Sequence, residues 1–402
     1  MRIMNILHTA DWHLGQSFYE YDRGEEHRLF LGWLKKCIRE YEADVLLVSG
    51  DVFDSPNPPA SAQRLYYRFL REATSENPRL QIVITAGNHD SAARLEAPNP
   101  LFEEMNIAVR GRVPKNADGS IDVKSLIIPL GNPGSPEAYC LAVPYLRQGD
   151  YPDADTYAEG VRRLYASLYG EVRGYGCPVI AMGHLYACGS ALSGRDRSER
   201  VVAGGLDSVG AESFAEDTAY VALGHLHRPQ RVFKRDNIRY AGSPVPMSFA
   251  EKHHKHGVVL VTLGKGGTDI RTLDFEPPVR IFSLTDSPVP VEKVFEIIGE
   301  LPCGKPSLLS PILEIKVAID RPEPSLRHRI EQALADKAVR LARIEAVIPG
   351  GAEEMPVLTS DELQALNPID IATDVFRRRY GGEDMPREMR DLLIKVVKET
   401  GL

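Results

Sequence analysis

Five short segments of this chain gather oxygen and imidazole donors: Asp11-Trp-His13, Gly50-Asp51, Gly87-Asn88-His89-Asp90, Gly183-His184 and Gly224-His225-Leu-His227. Donors of these types, without a thiolate among them, suit Mn²⁺, Mg²⁺, Fe or Zn²⁺ in a catalytic rather than a structural site. Asp11, His13, Asp51, Asn88, His184, His225 and His227 are too many ligands for one ion with an open position, and they suit two ions sharing a carboxylate. Two cations roughly 3.5–4 Å apart repel strongly, so a bridging anion is needed between them. Asp51 is the expected bridge, because Gly50 lets the chain turn sharply where the strand before it stops. Such a pair binds the non-bridging oxygens of a phosphoester and lowers the pKa of a bound water from about 15.7 to about 7. His89, outside the ligand set, is expected to protonate the leaving oxygen or to face charge on the transition state. Asp54 and Asp90 are both candidates to orient it, and the spacing does not choose between them.

Any one of these histidines, taken alone, reads as a satisfied core or loop residue. Their common position is what changes the reading. Residues 3–7, Asp44 to Val48, Leu80 to Ala86, Pro178 to Met182 and Ala219 to Leu223 are apolar runs of strand length, and each ends in one of the five segments. In Asp11-x-His13, alternation along an extended segment is expected to put both ligands on one side. His8 reads as a packed or hydrogen-bonding neighbour of the site. His253, His254 and His256 lie in Glu251-Lys-His-His-Lys-His-Gly, which suggests an exposed charged loop, and His27 and His328 fall in helical stretches.

Helices alternate with the strands. From Glu25 to Tyr41, Leu29, Trp33, Leu34, Cys37, Ile38 and Tyr41 recur at helical spacing, and from Ala60 to Glu76 Leu65, Tyr66, Phe69, Leu70 and Ala73 do the same. A third helix is expected from Asp155 to Gly170. Strand, helix and strand at this pace indicate a layered α/β fold. Residues 110–136, heavy in Gly, Pro and Asp, read as loop. Beyond Pro277-Pro278 the pattern changes to a small βαβ-like unit: Leu313, Ile315, Val317 and Ile319 alternate, a helix opens at Pro324, and a second strand runs from Val339 to Ile348. After Pro349-Gly-Gly, Asn367-Pro368 and Pro386 open two amphipathic helices. Terminal helices of this kind dock on their own domain or meet a partner helix.

With 402 residues the chain is too long for one ordinary core, and three parts are expected: 1–276, 277–350 and 351–402. The five cysteines are scattered and form no CxxC, which fits reduced thiols and argues against structural zinc. No signal peptide precedes the first strand and no apolar run approaches a membrane span, so a cytoplasmic location is expected. The net charge of −8 does not advertise a nucleic-acid binder; bound cations would supply positive charge where a phosphate sits.

The order of the five segments resembles the signature of the calcineurin-like metallophosphoesterases. The flanking text, Leu7-His-Thr-Ala-Asp-Trp-His-Leu-Gly15, Gly50-Asp-Val-Phe-Asp54, Tyr220-Val-Ala-Leu-Gly-His-Leu-His227 and Arg239 to Phe249, is similar to the bacterial nuclease-subunit branch of that family. The resemblance implies a sandwich of layered sheets flanked by helices, a small α+β capping domain and a C-terminal helical segment. It allots Asp11, His13, Asp51 and His227 to one metal and Asp51, Asn88, His184 and His225 to the other, with His89 as the non-ligand catalytic residue. It further implies Mn²⁺, with Mg²⁺ as the alternative, a homodimer, and a coiled-coil ABC-type ATPase bound by the terminal helices; the helices at 60–76 and 95–105 are candidates for the dimer contact. The implied activity is ATP-dependent exonuclease on double-stranded DNA ends and endonuclease on single strands and hairpins, serving DNA repair, recombination and replication. Two rival readings are a phosphatase or phosphodiesterase acting on a small molecule, and a non-catalytic scaffold subunit.

Overall fold

The computed structural model describes residues 2–132, 134–187, 190, 208–320, 323 and 325–348, with isolated positions between 373 and 390. Two six-stranded mixed sheets face each other. The first has the order β14-β13-β1-β4-β5-β6, from β1 (Met4–Thr9), β4 (Val45–Ser49), β5 (Gln81–Thr85), β6 (Ile107–Arg110), β13 (His256–Gly264) and β14 (Gly267–Phe275). The second runs β11-β12-β10-β9-β8-β7, from β7 (Ile127–Asn132), β8 (Ser135–Ala142), β9 (Val179–His184), β10 (Tyr220–Gly224), β11 (Gln230–Val232) and β12 (Arg235–Tyr240). β1, β4, β5 and β6 are mutually parallel, as are β8, β9, β10 and β12. Their C-terminal ends therefore lie along one rim of each sheet.

Alternation along the strands builds the layers. Met4 and Ile6 of β1, Val45 and Leu47 of β4, and Ile180 and Met182 of β9 point between the sheets into one apolar core. Leu7, Leu46 and Val48 point outward, beneath α1 (Gly24–Glu40) and α2 (Ala60–Glu76). Val179, Ala181, Val221 and Leu223 face α5 (Tyr157–Val172) on the opposite side. The result is an α/β/β/α sandwich, and the helices at 25–41, 60–76 and 155–170 form within two residues of expectation.

Four expectations change. Residues 110–136 are not all loop, since β7 and the start of β8 lie there; Ile127-Ile-Pro-Leu pairs antiparallel with β8 despite its proline because β7 is an edge strand. Residues 95–105 are not one helix but the short α3 (Ala92–Glu96) and α4 (Asn99–Phe102) with a 3₁₀ turn after them. Pro98 and Pro100 punctuate that stretch. His256 is not exposed: it opens β13, 3% exposed, with its Nδ1 on the Ser243 carbonyl at 2.8 Å. Glu251, from the same stretch expected to be an exposed loop, is fully buried.

The small C-terminal unit contains β15 (Ile281–Ser283), β16 (Val289–Pro290), α6 (Val291–Glu300), β17 (Ile312–Ala318), α7 (Leu326–Ala333) and β18 (Arg340–Val347). β15, β16 and β18 all pair parallel with β17, as crossover helices require. α6 has no counterpart among the elements expected from the sequence. The unit meets the sandwich through Phe18, Phe249, Val279, Ile281 and Ile312, and Tyr21, on the hairpin of β2 (Ser17–Phe18) and β3 (Tyr21–Asp22), donates its hydroxyl to the Leu341 carbonyl. The expected terminal helices at 367–402 lie largely outside the described residues. No described helix is long and apolar enough to cross a membrane.

Candidate metal centre

The five donor segments lie at or just after the C-terminal ends of strands, with His184 the last residue of β9, and the sandwich brings them to one rim. β1, β4 and β5 of the first sheet deliver Asp11, His13, Asp51, Asn88 and His89; β9 and β10 of the second deliver His184, His225 and His227. The loops after the neighbouring strands β1 and β4 are zipped together: Asp11 N donates to the Gly50 carbonyl at 3.1 Å, His13 N to the Asp51 carbonyl at 3.0 Å and Leu14 N to the Val52 carbonyl at 2.9 Å.

Asp11 and His13 share a face for a different reason from the expected alternation. Asp11 (φ +53°) and His13 (φ +46°) are left-handed, as are Asp51 (φ +48°) and His225 (φ +102°). Backbone of this kind is strained for residues other than glycine and is tolerated where the surroundings impose it. Trp12 between them does much of the imposing. It is fully buried, its ring meets Phe30 and Phe69 edge to face, and its Nε1 donates to Thr9 Oγ1 at 2.9 Å. Gly50 (φ +85°) and Gly87 are required by close approach: a Cβ would strike the His184 ring at the first and the Asp51 carboxylate at the second.

Asp51 stands at the centre. Its Oδ2 lies 3.3 Å from His184 Nε2 and 3.6 Å from His13 Nε2, while its Oδ1 accepts from the His89 backbone N–H at 2.9 Å. Asn88 Oδ1 lies 3.0 Å from His184 Nε2 and 3.1 Å from His225 Nδ1. His184 Nδ1 donates to the Ser49 carbonyl at 2.9 Å, which fixes the tautomer and leaves Nε2 facing Asn88 and Asp51. Ligand atoms of Asp11, His13 and His227 fall within 4.8 Å of one another, as do those of Asp11, Asp51 and His184. A third such group joins His13, Asp54 and His89.

The donor set fits cations. Asp11 Oδ2 and His13 Nε2 are buried without a hydrogen-bond partner. Buried polar atoms are almost always satisfied, and a cation among these donors satisfies both. Electrostatics point the same way. Burial raises the Asp11 carboxyl above its usual range, with Asp51 adding to the effect against the nearby histidines. Burial also opposes ionisation of Asp51, yet His184, His13 and His89 hold it well below the usual carboxylate range. Burial works against charge on His184, but Asp51 and Asp11 lift it to about 9. Burial, reinforced by His184, pushes His225 down to about 3.

The neighbours separate two candidates that the sequence left equivalent. His89 Nδ1 donates to the backbone carbonyl of Asp54 at 2.9 Å, so the main chain of Asp54 orients it. The Asp54 carboxylate instead reaches His13 Nδ1 at 3.2 Å. The Asp90 carboxylate is spent on backbone: it accepts from Gly87 N, Val52 N and Phe53 N at 2.9, 3.1 and 2.9 Å and braces the loop after Asp51. Burial and Asp51 raise Asp90 to about 6 against those three donors. His8 is a neighbour, as expected, with Nδ1 2.8 Å from the Tyr220 hydroxyl. Sequence reasoning missed Glu251, whose Oε1 stands 3.5 Å from His227 Nδ1. Its lysine- and histidine-rich surroundings disguised a buried position.

The fold and the rim site define a metal-dependent phosphoesterase, and comparison with known proteins agrees. A family model described as calcineurin-like phosphoesterase matches residues 4–229, and one described as Type 5 capsule protein repressor C-terminal domain matches residues 281–382. The chain belongs to the calcineurin-like phosphoesterase family. Within it, the chain is homologous to the D subunit of the SbcCD nuclease. It is 37% identical over 360 residues to the Rhodobacter capsulatus relative of that name, covering 86% of this chain and 88% of the relative. The Escherichia coli relative is 30% identical over 414 residues, covering 97% and 96%. That of Bacillus subtilis is 36% identical over 275 residues, covering 65% and 67%.

Proposed function

We propose that this chain is the nuclease subunit of a two-component complex, a two-metal phosphodiesterase acting on DNA together with a coiled-coil ABC ATPase of the SbcC type. The observation that carries the reading is the convergence of Asp11, His13, Asp51, Asn88, His184, His225 and His227 on one rim, with His89 beside them and outside the set. The relatives named above are nuclease subunits, which favours DNA over a small phosphoester. In this reading Asp11, His13, Asp51 and His227 hold one ion and Asp51, Asn88, His184 and His225 the other, with Mn²⁺ preferred and Mg²⁺ the alternative.

The bound ions would supply Lewis acidity and a hydroxide at neutral pH. The chain's own part is positional. Asp51 offers one oxygen to both halves while the His89 N–H holds the other. His89, its Nδ1 committed to the Asp54 carbonyl, keeps Nε2 for the substrate; protonated, that nitrogen donates to the leaving oxygen. Asp90 holds the Gly87 and Val52–Phe53 backbone so that Asp51 and Asn88 keep their spacing. The proposed division is 1–276 for the nuclease domain, 277–350 for a capping domain and 351–402 for the ATPase-binding segment, with the working unit a cytoplasmic homodimer. Its products would serve DNA end processing in repair, recombination and replication.

The direct test is hydrolysis of linear duplex and hairpin DNA with Mn²⁺, with and without the ATPase and ATP, beside a simple aryl phosphodiester. Cleavage of DNA, with duplex-end digestion dependent on ATP and the partner, is expected. Activity confined to the small ester would replace the nuclease reading by that of a small-molecule phosphodiesterase. The ATPase should co-purify with the full chain and be lost when residues 355–402 are deleted.

A further inference from the structure

We propose that Glu251 is a positioning residue for the metal centre: it orients His227 through Nδ1 and so controls the affinity of one of two ions. The inference rests on the two-metal reading above. Glu251 is fully buried at the end of the 3₁₀ turn Phe249–Glu251. Its Oε2 accepts from the Met247 backbone N–H at 2.9 Å, which fixes the plane of the carboxylate. Its Oε1 stands 3.5 Å from His227 Nδ1 and has no hydrogen-bond partner. A buried carboxylate oxygen without a donor is costly, and His227 Nδ1–H is the donor facing it. Closing that separation to hydrogen-bond length takes about 0.5 Å. With Nδ1 protonated toward Glu251, the lone pair of His227 is on Nε2, the nitrogen left for Asp11 and His13's side of the site. Carboxylate–imidazole–metal relays of this kind raise ligand basicity and fix ring orientation.

The segment carrying Glu251 is anchored on both sides. Phe249 is wedged among Phe18, Val279, Ile281 and Ile312, with the Arg343 guanidinium 5.6 Å from its ring centroid. Arg23, paired with Glu26, donates to the Pro246 carbonyl at 2.6 Å. The carboxylate is thus aimed at His227 by contacts with both the sandwich and the C-terminal unit. Asp54 plays the corresponding part for His13, so both imidazoles on this side carry a carboxylate behind them.

The test is Mn²⁺ titration of the full chain by calorimetry and electron paramagnetic resonance. Wild type should bind two ions; if it binds none, the two-metal reading falls and not merely the role of Glu251. Glu251→Ala should weaken one binding step by about 10- to 100-fold and leave the other unchanged. Glu251→Gln keeps an oxygen for Nδ1–H but loses the charge, and should weaken that step by about 3- to 10-fold. In a double-mutant cycle, Glu251→Ala should add little to the loss from His227→Ala and should combine independently with His184→Ala. Unchanged affinity at both steps in Glu251→Ala, or full additivity with His227→Ala, overturns the proposal. If Glu251→Ala does not fold, Glu251→Gln decides: a weakened single step supports the assignment, and wild-type affinity refutes it.

Discussion

The two halves of the metal centre are held in different ways. Around Asn88, His184 and His225, orientation comes from the main chain: the Ser49 carbonyl fixes His184, and strands β4, β9 and β10 sit in the middle of their sheets. Around Asp11, His13 and His227, it comes from side chains, the Asp54 carboxylate behind His13 and Glu251 beside His227. A half whose imidazole is oriented by backbone is as rigid as the sheet, and the side chain that supports it, Asp90, acts on the loop backbone rather than on a ligand ring. A half oriented by carboxylates is open to tuning through residues that touch no ion.

Asp51 belongs to both halves, and its loss should erase the distinction. Asp51→Ala is expected to lower Mn²⁺ stoichiometry from two toward zero and hydrolysis by about 10⁴-fold or more. Two intact ions in that variant would remove the bridge from the scheme. His89→Ala should act on neither half: turnover should fall by about 10²–10⁴-fold with both ions retained. A parallel fall in metal occupancy would make His89 a ligand rather than a proton donor.

Asp54→Ala sharpens the comparison, because it removes the carboxylate behind His13 while leaving the carbonyl that holds His89. It should weaken one ion by about 10-fold and spare the step that His184→Ala abolishes. Equal loss at both steps would contradict the separation of the halves.

The smallest effect is on pH and belongs to the backbone-held half. His184 is lifted from 6.5 to about 9 by Asp51 and Asp11 against burial, so the folded, metal-free protein binds this proton more tightly than the unfolded chain. Its contribution to stability is complete below pH 6.5 and is lost as pH rises through about 9. Thermal melts in chelator should therefore fall across that window, and His184→Gln should flatten the fall. Metal binding at pH 7 should release a proton from His184, whereas His225, held down to about 3, should release none.

Much of the fold and site is legible in the residues alone. Apolar runs ending in His, Asp and Asn can be read directly, since a buried strand must be apolar and its end is where polar chemistry meets water. The donor types gathered at those strand ends follow. The helices covering the sheets are equally plain, because an amphipathic period survives in the residues themselves. α6 keeps the same period in Val291, Val294, Phe295 and Ile298, so its absence from the expected elements has no cause in the residues, whereas β7 is hidden by the prolines and glycines around it.

Tertiary structure decided the rest. Asp54 and Asp90 have the same chemistry, and only the loop path shows that one offers its carbonyl to the His89 ring and the other braces the backbone. Glu251 and His256 look solvated because their sequence neighbours are charged, yet burial depends on which neighbours are supplied by distant segments. The positive φ values at Asp11, His13, Asp51 and His225 fall on residue types that tolerate left-handed backbone, but residue type does not say which of the chain's Asp and His adopt it. By itself the sequence determined which atoms are available to hold metal. Their orientation was decided by contacts spanning up to 214 residues, such as the His225 N–H on Asp11 Oδ1, because a ligand's direction is set by what packs behind it.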